Sequence, residues 1–116
     1  MSELLFSKFQ LGRITLTNRV VMAPMTRSRA IGNIPSELAV TYYGQRADAG
    51  LLITEGTSPS PDGLGYARIP GIFDDAHVEG LSRLAKTIAG TGALGIVQLF
   101  HGGVRADTSV SEGAPW

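Results

Sequence analysis

The sequence predicts an α/β fold built on a parallel sheet. Three observations carry this. Three short runs, "VVMAP" (20–24), "LLITE" (51–55) and "LGIVQLF" (strand 94–99), are almost continuously apolar. Two stretches with helical spacing separate them. Polar residues follow each run at its C-terminal end: Thr26 and Arg27, then Glu55 to Thr57, then Gln98 and His101. Strands alternating with helices imply a parallel sheet, and parallel strands covered on both faces read as unbroken apolar runs.

The chain opens as a hairpin over about 5–17. "FSKFQLG" and "RITLTN" flank Gly12-Arg13, with alternation at Ile14, Leu16 and Val20. The first buried strand, 20–24, stops at Pro24. A loop through Gly32 and Asn33 leads to Pro35-Ser36, a helix start with Glu37 in the first turn. The helix "SELAVTYYGQRADAG" turns Leu38, Tyr42 and Ala49 to one side, with Ala39, Tyr43 and Ala47 beside them. Gly50 is its stop. The second strand, 51–55, enters the glycine- and proline-rich loop "GTSPSPDGLGYARIPGIF". Asp74-Asp75 start a second helix, with Val78, Leu81, Leu84, Ala85 and Ile88 at helical spacing and an end near Gly90-Thr91-Gly92. The third strand exits into "HGGVRADTSVSEGAPW". Ligands of parallel α/β folds bind at the C-terminal strand ends, so Thr26 stands on a functional rim.

Composition narrows the function class. The chain has 116 residues, 43% hydrophobic and 17% charged, which suits one small globular domain. A formal net charge of +0, with no basic patch or basic amphipathic helix, argues against nucleic-acid and membrane-surface partners. No apolar run approaches the roughly 20 residues of a bilayer span, and "MSELLFSKF" lacks a signal-peptide pattern, so a cytoplasmic address is expected. There are no cysteines, which excludes disulfides and thiolate metal sites within this stretch. Glycine numbers 15, near twice the ordinary share of about 7%, and it punctuates loops rather than repeats.

Four segments then carry a resemblance: "LGRITLTNRVVMAPMTRSRA", "YYGQRADAGLLITEGT", "GYARIPGIF" and "IVQLFHGGVR". Together, and in this order, they resemble the N-terminal part of the old yellow enzyme family, FMN-dependent NAD(P)H oxidoreductases also called ene-reductases. The similarity runs from about Leu5 to the last residue, and "NR-V-MAPMTR" is its most specific piece. It implies a (β/α)8 TIM barrel with FMN, held non-covalently, at its C-terminal mouth. Such a barrel takes about 250 residues. Residues 1–116 are therefore expected to be a partial TIM-barrel flavin-binding domain: the hairpin plus about three βα units.

The resemblance assigns roles residue by residue. Thr26 would reach the flavin O4/N5 edge and stabilise reduced flavin; a cap or turn role suits threonine as well. Ala23, Pro24 and Met25 would line the flavin, Met25 being equally suited to core packing. Gly56 would bring its backbone N–H against flavin O4, or be an ordinary loop glycine. Gln98 would match the alternating donors and acceptors of the flavin pyrimidine with its carboxamide. Tyr66 would overhang the substrate pocket or pack on the rim. Phe100 stands where relatives commonly carry tryptophan over the active site, which leaves substrate preference open. His101 is expected to be a structural rim residue and His77 to be solvated. Arg27 and Arg29 are expected to form ion pairs, Glu55 to pair with a barrel arginine, and Asp74 and Asp75 to be helix-start acids rather than metal ligands.

Two functional readings follow. In the first, NAD(P)H reduces FMN, which passes hydride to an activated C=C bond of an α,β-unsaturated carbonyl or nitro compound. The family's substrate-holding His pair and proton-donating Tyr are not within 1–116, so no catalytic residue is assigned here. An iron–sulfur-bearing branch of the family stays open, since its cysteines would lie downstream. In the second reading the chain is a truncated or split barrel fragment without activity of its own. It would act only by assembly with a complementary chain, or would self-associate.

Overall fold

A computed structural model describes residues 2–106. The "GAPW" segment and the rest of 107–116 lie outside the described residues. A one-turn helix α1 (Ser2–Leu5), which the sequence reading had not separated from the hairpin, precedes strands β1 (Phe9–Leu11) and β2 (Ile14–Leu16). These pair antiparallel with Leu11 opposite Ile14, so Gly12-Arg13 form a two-residue turn, and Gly12 has φ of 60°. A positive φ at this position is what two-residue hairpin turns require.

Strands β3 (Val21–Met22), β4 (Leu51–Ile53) and β5 (Leu94–Ile96) form a parallel sheet in the order β3-β4-β5. The register aligns Val21 with Leu51 and Leu94, and Met22 with Leu52 and Gly95. The ladders are shorter than the apolar runs. Backbone bonding nevertheless continues past them: the Thr54 amide donates to Ile96 O at 2.8 Å and the Thr57 amide to Gln98 O at 2.9 Å.

Two features set the start of the sheet. Asn18 Oδ1 accepts from the Gly50 amide at 2.8 Å and the Val20 amide at 3.0 Å, and its Nδ2 donates to Asp48 O at 2.7 Å. One side chain thereby ties the entry of β3 to the entry of β4. The chains approach so closely there that a Cβ on Gly50 would collide with the Asn18 carbonyl.

Helices α2 (Glu37–Gly44) and α3 (Asp75–Ala89) pack on each other and on one face of this sheet. Tyr43, Leu52, Leu84, Ile88 and Ala93 form the core, with Met22, Ala39, Tyr42 and Ala49 against it. Helix α2 ends earlier than its sequence suggested. After Gly44 the bonds tighten to i→i−3 contacts, Arg46 N to Tyr43 O and Ala47 N to Gly44 O. A Cβ on Gly44 would already press the Thr87 methyl at 3.3 Å, so the glycine sits where the two helices touch.

Most of the expected inner faces hold, with Ala39, Tyr42, Tyr43 and Ala49 of the first helical stretch and Leu84 and Ile88 of the second in or against the core, but single positions differ. In α2 Tyr43 is buried, whereas Leu38 is 70% exposed. In α3 His77, Gly80, Leu84 and Ile88 are buried, while Val78 and Ala85 face outward. The reason is Gly80. A Cβ there would stand 3.0 Å from Ile34 and from Pro35, so the helix turns its glycine, not its valine, to the protein. Apolar periodicity alone does not register a glycine contact.

On the face of the sheet opposite the helices the edge strands are open, with Val21 50% exposed and Ile96 42% exposed, while Leu51 of the central strand, in register with Val21, is buried.

Candidate functional site

The rim beyond the strand ends is ordered by the long loop after β4. Although rich in glycine and proline, this loop buries Thr57, Ser58, Leu64 and Ile69. The Ser58 amide donates to Pro70 O and the Ile72 amide to Ser58 O, each at 2.9 Å. The Gly71 amide donates to Asn33 O at 2.8 Å, and Asn33 Nδ2 donates to Ile69 O at 2.8 Å. Turn residues here serve a close-packed rim.

Gly56, Gln98, Phe100 and Tyr66 come together on this rim. A Cβ on Gly56 would lie 3.1 Å from Phe100 Cβ and 3.7 Å from Gln98 Oε1. The Phe100 amide donates to Thr57 O at 3.0 Å, holding the ends of β4 and β5 together. Tyr66 and Phe100 stack, and with Gly65, Gly102 and Arg105 they line a depression of about 360 Å³. Ala23, Met25 and Thr26 are exposed at the end of β3, with Pro24 half-buried between them. Gln98 is exposed, and among the described residues its carboxamide has no protein hydrogen-bond partner.

Thr26 is brought to this rim through its neighbour. The Arg27 amide donates to Glu55 Oε2 at 3.0 Å, and Glu55 immediately precedes Gly56. The Glu55 amide in turn donates to the Tyr43 hydroxyl at 2.9 Å. Burial raises the Glu55 carboxyl above its ordinary value, against the opposing pull of the Arg27 amide and of the Arg27 and Arg29 charges. Burial likewise pushes the Tyr43 phenol up to about 12. The expected ion pairs are corrected in part. Glu55 meets Arg27 through its main chain, the Arg27 guanidinium lies 5.3 Å from the Tyr42 ring centroid, and Arg29 donates to Arg27 O at 2.6 Å. No carboxylate lies in ion-pair range of either guanidinium among the described residues.

The two histidines have different environments. His101 Nδ1 accepts from the Gly103 amide at 3.0 Å, and its Nε2 is 3.7 Å from Asp62 Oδ1. His77, expected to be solvated, is buried. Its Nδ1 accepts from the Phe73 amide at 3.4 Å and its Nε2 faces Gly32 O at 3.3 Å. A neutral ring with its proton on Nε2 satisfies both contacts. Asp74 accepts from the His77 amide at 3.0 Å as the cap of α3, and Asp75 opens the first turn. Among the described residues no group of three or more His, Cys, Asp or Glu could hold a metal ion, and no helix is long and apolar enough to cross a membrane.

A parallel sheet whose C-terminal strand ends converge on a glycine, a free carboxamide and an aromatic wall defines a barrel-type ligand rim. The chain belongs to the NADH:flavin oxidoreductase / NADH oxidase family, whose description matches residues 4–115. It is 42% identical over 100 residues to 12-oxophytodienoate reductase 7 of Oryza sativa subsp. japonica, covering 85% of this chain and 25% of that protein. It is 39% identical over 100 residues to the putative 12-oxophytodienoate reductase-like protein 2A of Arabidopsis thaliana, with 85% and 37% covered. Among solved structures it superposes on morphinone reductase with a TM-score of 0.89 and 42% identity, covering 95% of this chain and 30% of that one. The old yellow enzyme homologue from Zymomonas mobilis gives a TM-score of 0.89 at 41% identity, with 96% and 32% covered. The chain thus spans about a quarter to a third of the length of most of these relatives. It is the N-terminal portion of a TIM barrel of the old yellow enzyme kind.

The residues present fit a flavin. Gly56 leaves no room for a side chain, because a Cβ there would stand 3.1 Å from Phe100 Cβ. Gln98 offers a donor and an acceptor to the rim. What the sequence reading missed is the support beneath it: Asn18, Tyr43 and the Arg27 main chain. Asn18 lies inside the most specific motif, and that position was the one signal available.

Proposed function

We propose that this chain forms part of the flavin bed of an FMN-dependent NAD(P)H oxidoreductase that reduces activated C=C bonds of α,β-unsaturated carbonyl or nitro compounds. The observation that carries this reading is the convergence of Gly56 and Gln98 at the ends of parallel strands in a chain of this family. FMN, when bound, supplies the centre that takes hydride from NAD(P)H and gives it to the substrate β-carbon. Thr26 donates to the flavin edge where negative charge develops. Ala23, Pro24 and Met25 line one side of the ring. Gly56 lets the main chain approach, and Gln98 pairs with the pyrimidine edge. Tyr66 and Phe100 form one wall of the pocket for the enone-type substrate. In a polypeptide joining this chain to the remaining strands, a flavin absorbance band and NAD(P)H consumption that depends on 2-cyclohexenone are expected. A colourless protein, or a yellow one whose NAD(P)H consumption ignores the enone, overturns the assignment.

A second reading rests on the two edges of the sheet face opposite the helices. Val21 and Ile96 are exposed there, and β3 and β5 are both edge strands. Unpaired edges and uncovered apolar faces seek partners. On this reading the chain acts only through assembly with a complementary barrel chain or with copies of itself.

A further inference from the structure

Thr26, on an exposed segment beyond β3, has no hydrogen bond of its own side chain to any described residue. Its position depends on what holds the segment. One anchor lies one residue on, where the Arg27 amide donates to Glu55 Oε2 at 3.0 Å across 28 positions of sequence. Glu55 is only 5% exposed, so its carboxylate swings little. It is itself pinned from the helix-covered side, because its amide donates to the hydroxyl of Tyr43, a residue of α2 and of the core. Three elements thus meet in one chain of bonds: α2 through Tyr43, the end of β4 through Glu55, and the segment after β3 through Arg27.

We infer that Tyr43 and Glu55 are positioning residues that set Thr26, through the Arg27 amide, relative to Gly56. This rests on the flavin reading given above for the roles of Thr26 and Gly56. Its physical basis is that a donor aimed at a developing charge works only if held in place before the charge appears. The arrangement also gives the buried Glu55 carboxylate a task, since the Arg27 amide needs an acceptor there. A glutamine could serve in the same place, since its Oε1 accepts as well.

The inference is tested at two levels. Amide hydrogen exchange of Arg27, measured in the flavin-free form of the polypeptide that joins this chain to the remaining strands, reports the latch without any flavin. Glu55→Ala is expected to speed Arg27 exchange by about tenfold or more, the factor for losing one hydrogen bond to a charged acceptor. Glu55→Gln is expected to leave it near the wild-type rate. Tyr43→Phe keeps the packed ring and removes only the hydroxyl, so it tests the relay should Glu55→Ala not fold. It is expected to speed exchange at both Glu55 and Arg27. In the holoenzyme the flavin midpoint potential is expected to fall in Glu55→Ala and Tyr43→Phe, in the same direction as in Thr26→Ala, and to be restored in Glu55→Gln. Unchanged Arg27 exchange in Glu55→Ala, or in Tyr43→Phe where the former does not fold, overturns the latch. Faster exchange with an unaltered potential overturns the positioning role and leaves the flavin reading intact. A wild-type holoenzyme preparation without flavin instead overturns the functional reading and the positioning role together, while the exchange data still decide the latch.

Discussion

The Tyr66 ring stacks on the Phe100 ring, with centroids 5.9 Å apart and planes 27° from parallel. Tyr66 comes from the loop after β4 and Phe100 from the residues after β5, so the stack joins two rim segments. Such a pair contributes about 1 kcal/mol beyond area burial. Phe100→Ala is expected to free Tyr66 and widen the depression they share. In the assembled enzyme, kcat/KM for a bulky cyclic enone should rise relative to a small one. Steady-state kinetics on the two substrates check this, and an unaltered ratio would remove the pair from the substrate wall.

Gly56 tolerates little added volume. A Cβ at 3.1 Å from Phe100 Cβ is tight, and branching would drive the new methyls into Phe100 or Gln98. Gly56→Val is expected to cost about 1–3 kcal/mol by overpacking and to weaken FMN binding. Denaturant melts and flavin titration read the two effects separately. Tight FMN binding by the variant would contradict the placement of Gly56 against the flavin.

The Asn18–Gly50 junction should be intolerant for a different reason. Gly50→Ala meets main chain, not a flexible side chain, so the two strand entries must separate. We expect a loss of about 3 kcal/mol or more, at the severe end for a single substitution. Asn18→Ala leaves the Gly50 and Val20 amides without their acceptor and should cost about 2 kcal/mol. Thermal melts that match wild type would show that Asn18 is dispensable.

Thr26→Ala should leave FMN bound and lower its reduction potential. One lost hydrogen bond to a charged acceptor, about 1.5–3 kcal/mol, corresponds to about 30–60 mV for a two-electron couple. Redox titration measures it directly, and an unmoved potential separates Thr26 from the flavin edge.

Glu55 predicts a pH dependence of stability. Its carboxyl is raised by burial, so the folded state holds the proton more tightly than the unfolded chain does. Stability from this group is fully present below the ordinary value of 4.5 and is lost as pH rises from there through the raised folded value. Glu55→Gln removes the titration. The variant should therefore gain stability relative to wild type as pH increases across that window. Parallel melting curves for the two proteins would sink this if their difference stayed constant with pH.

The strand order, and the rim to which the polar residues belong, were legible in the sequence because both are written locally. Apolar runs such as "LLITE" mark strands wherever they fold, glycine and proline punctuate them, and alternation with helices dictates parallel pairing. The motif "NR-V-MAPMTR" added the family by the same local route. Tertiary structure alone decided that Gly80 and His77 turn inward while Leu38 and Val78 turn outward. Gly80 against Pro35 and Gly44 against Thr87 are contacts between distant segments, and a residue without a side chain leaves no mark in hydrophobic periodicity. It also decided that His77 is buried against Phe73 and Gly32, and that Glu55 meets the main chain of Arg27 instead of its guanidinium. A residue type announces its side-chain charge, but a partner's backbone amide is chemically the same at nearly every position. Which amide a buried carboxylate finds is therefore settled only when α2, β4 and the segment after β3 pack together.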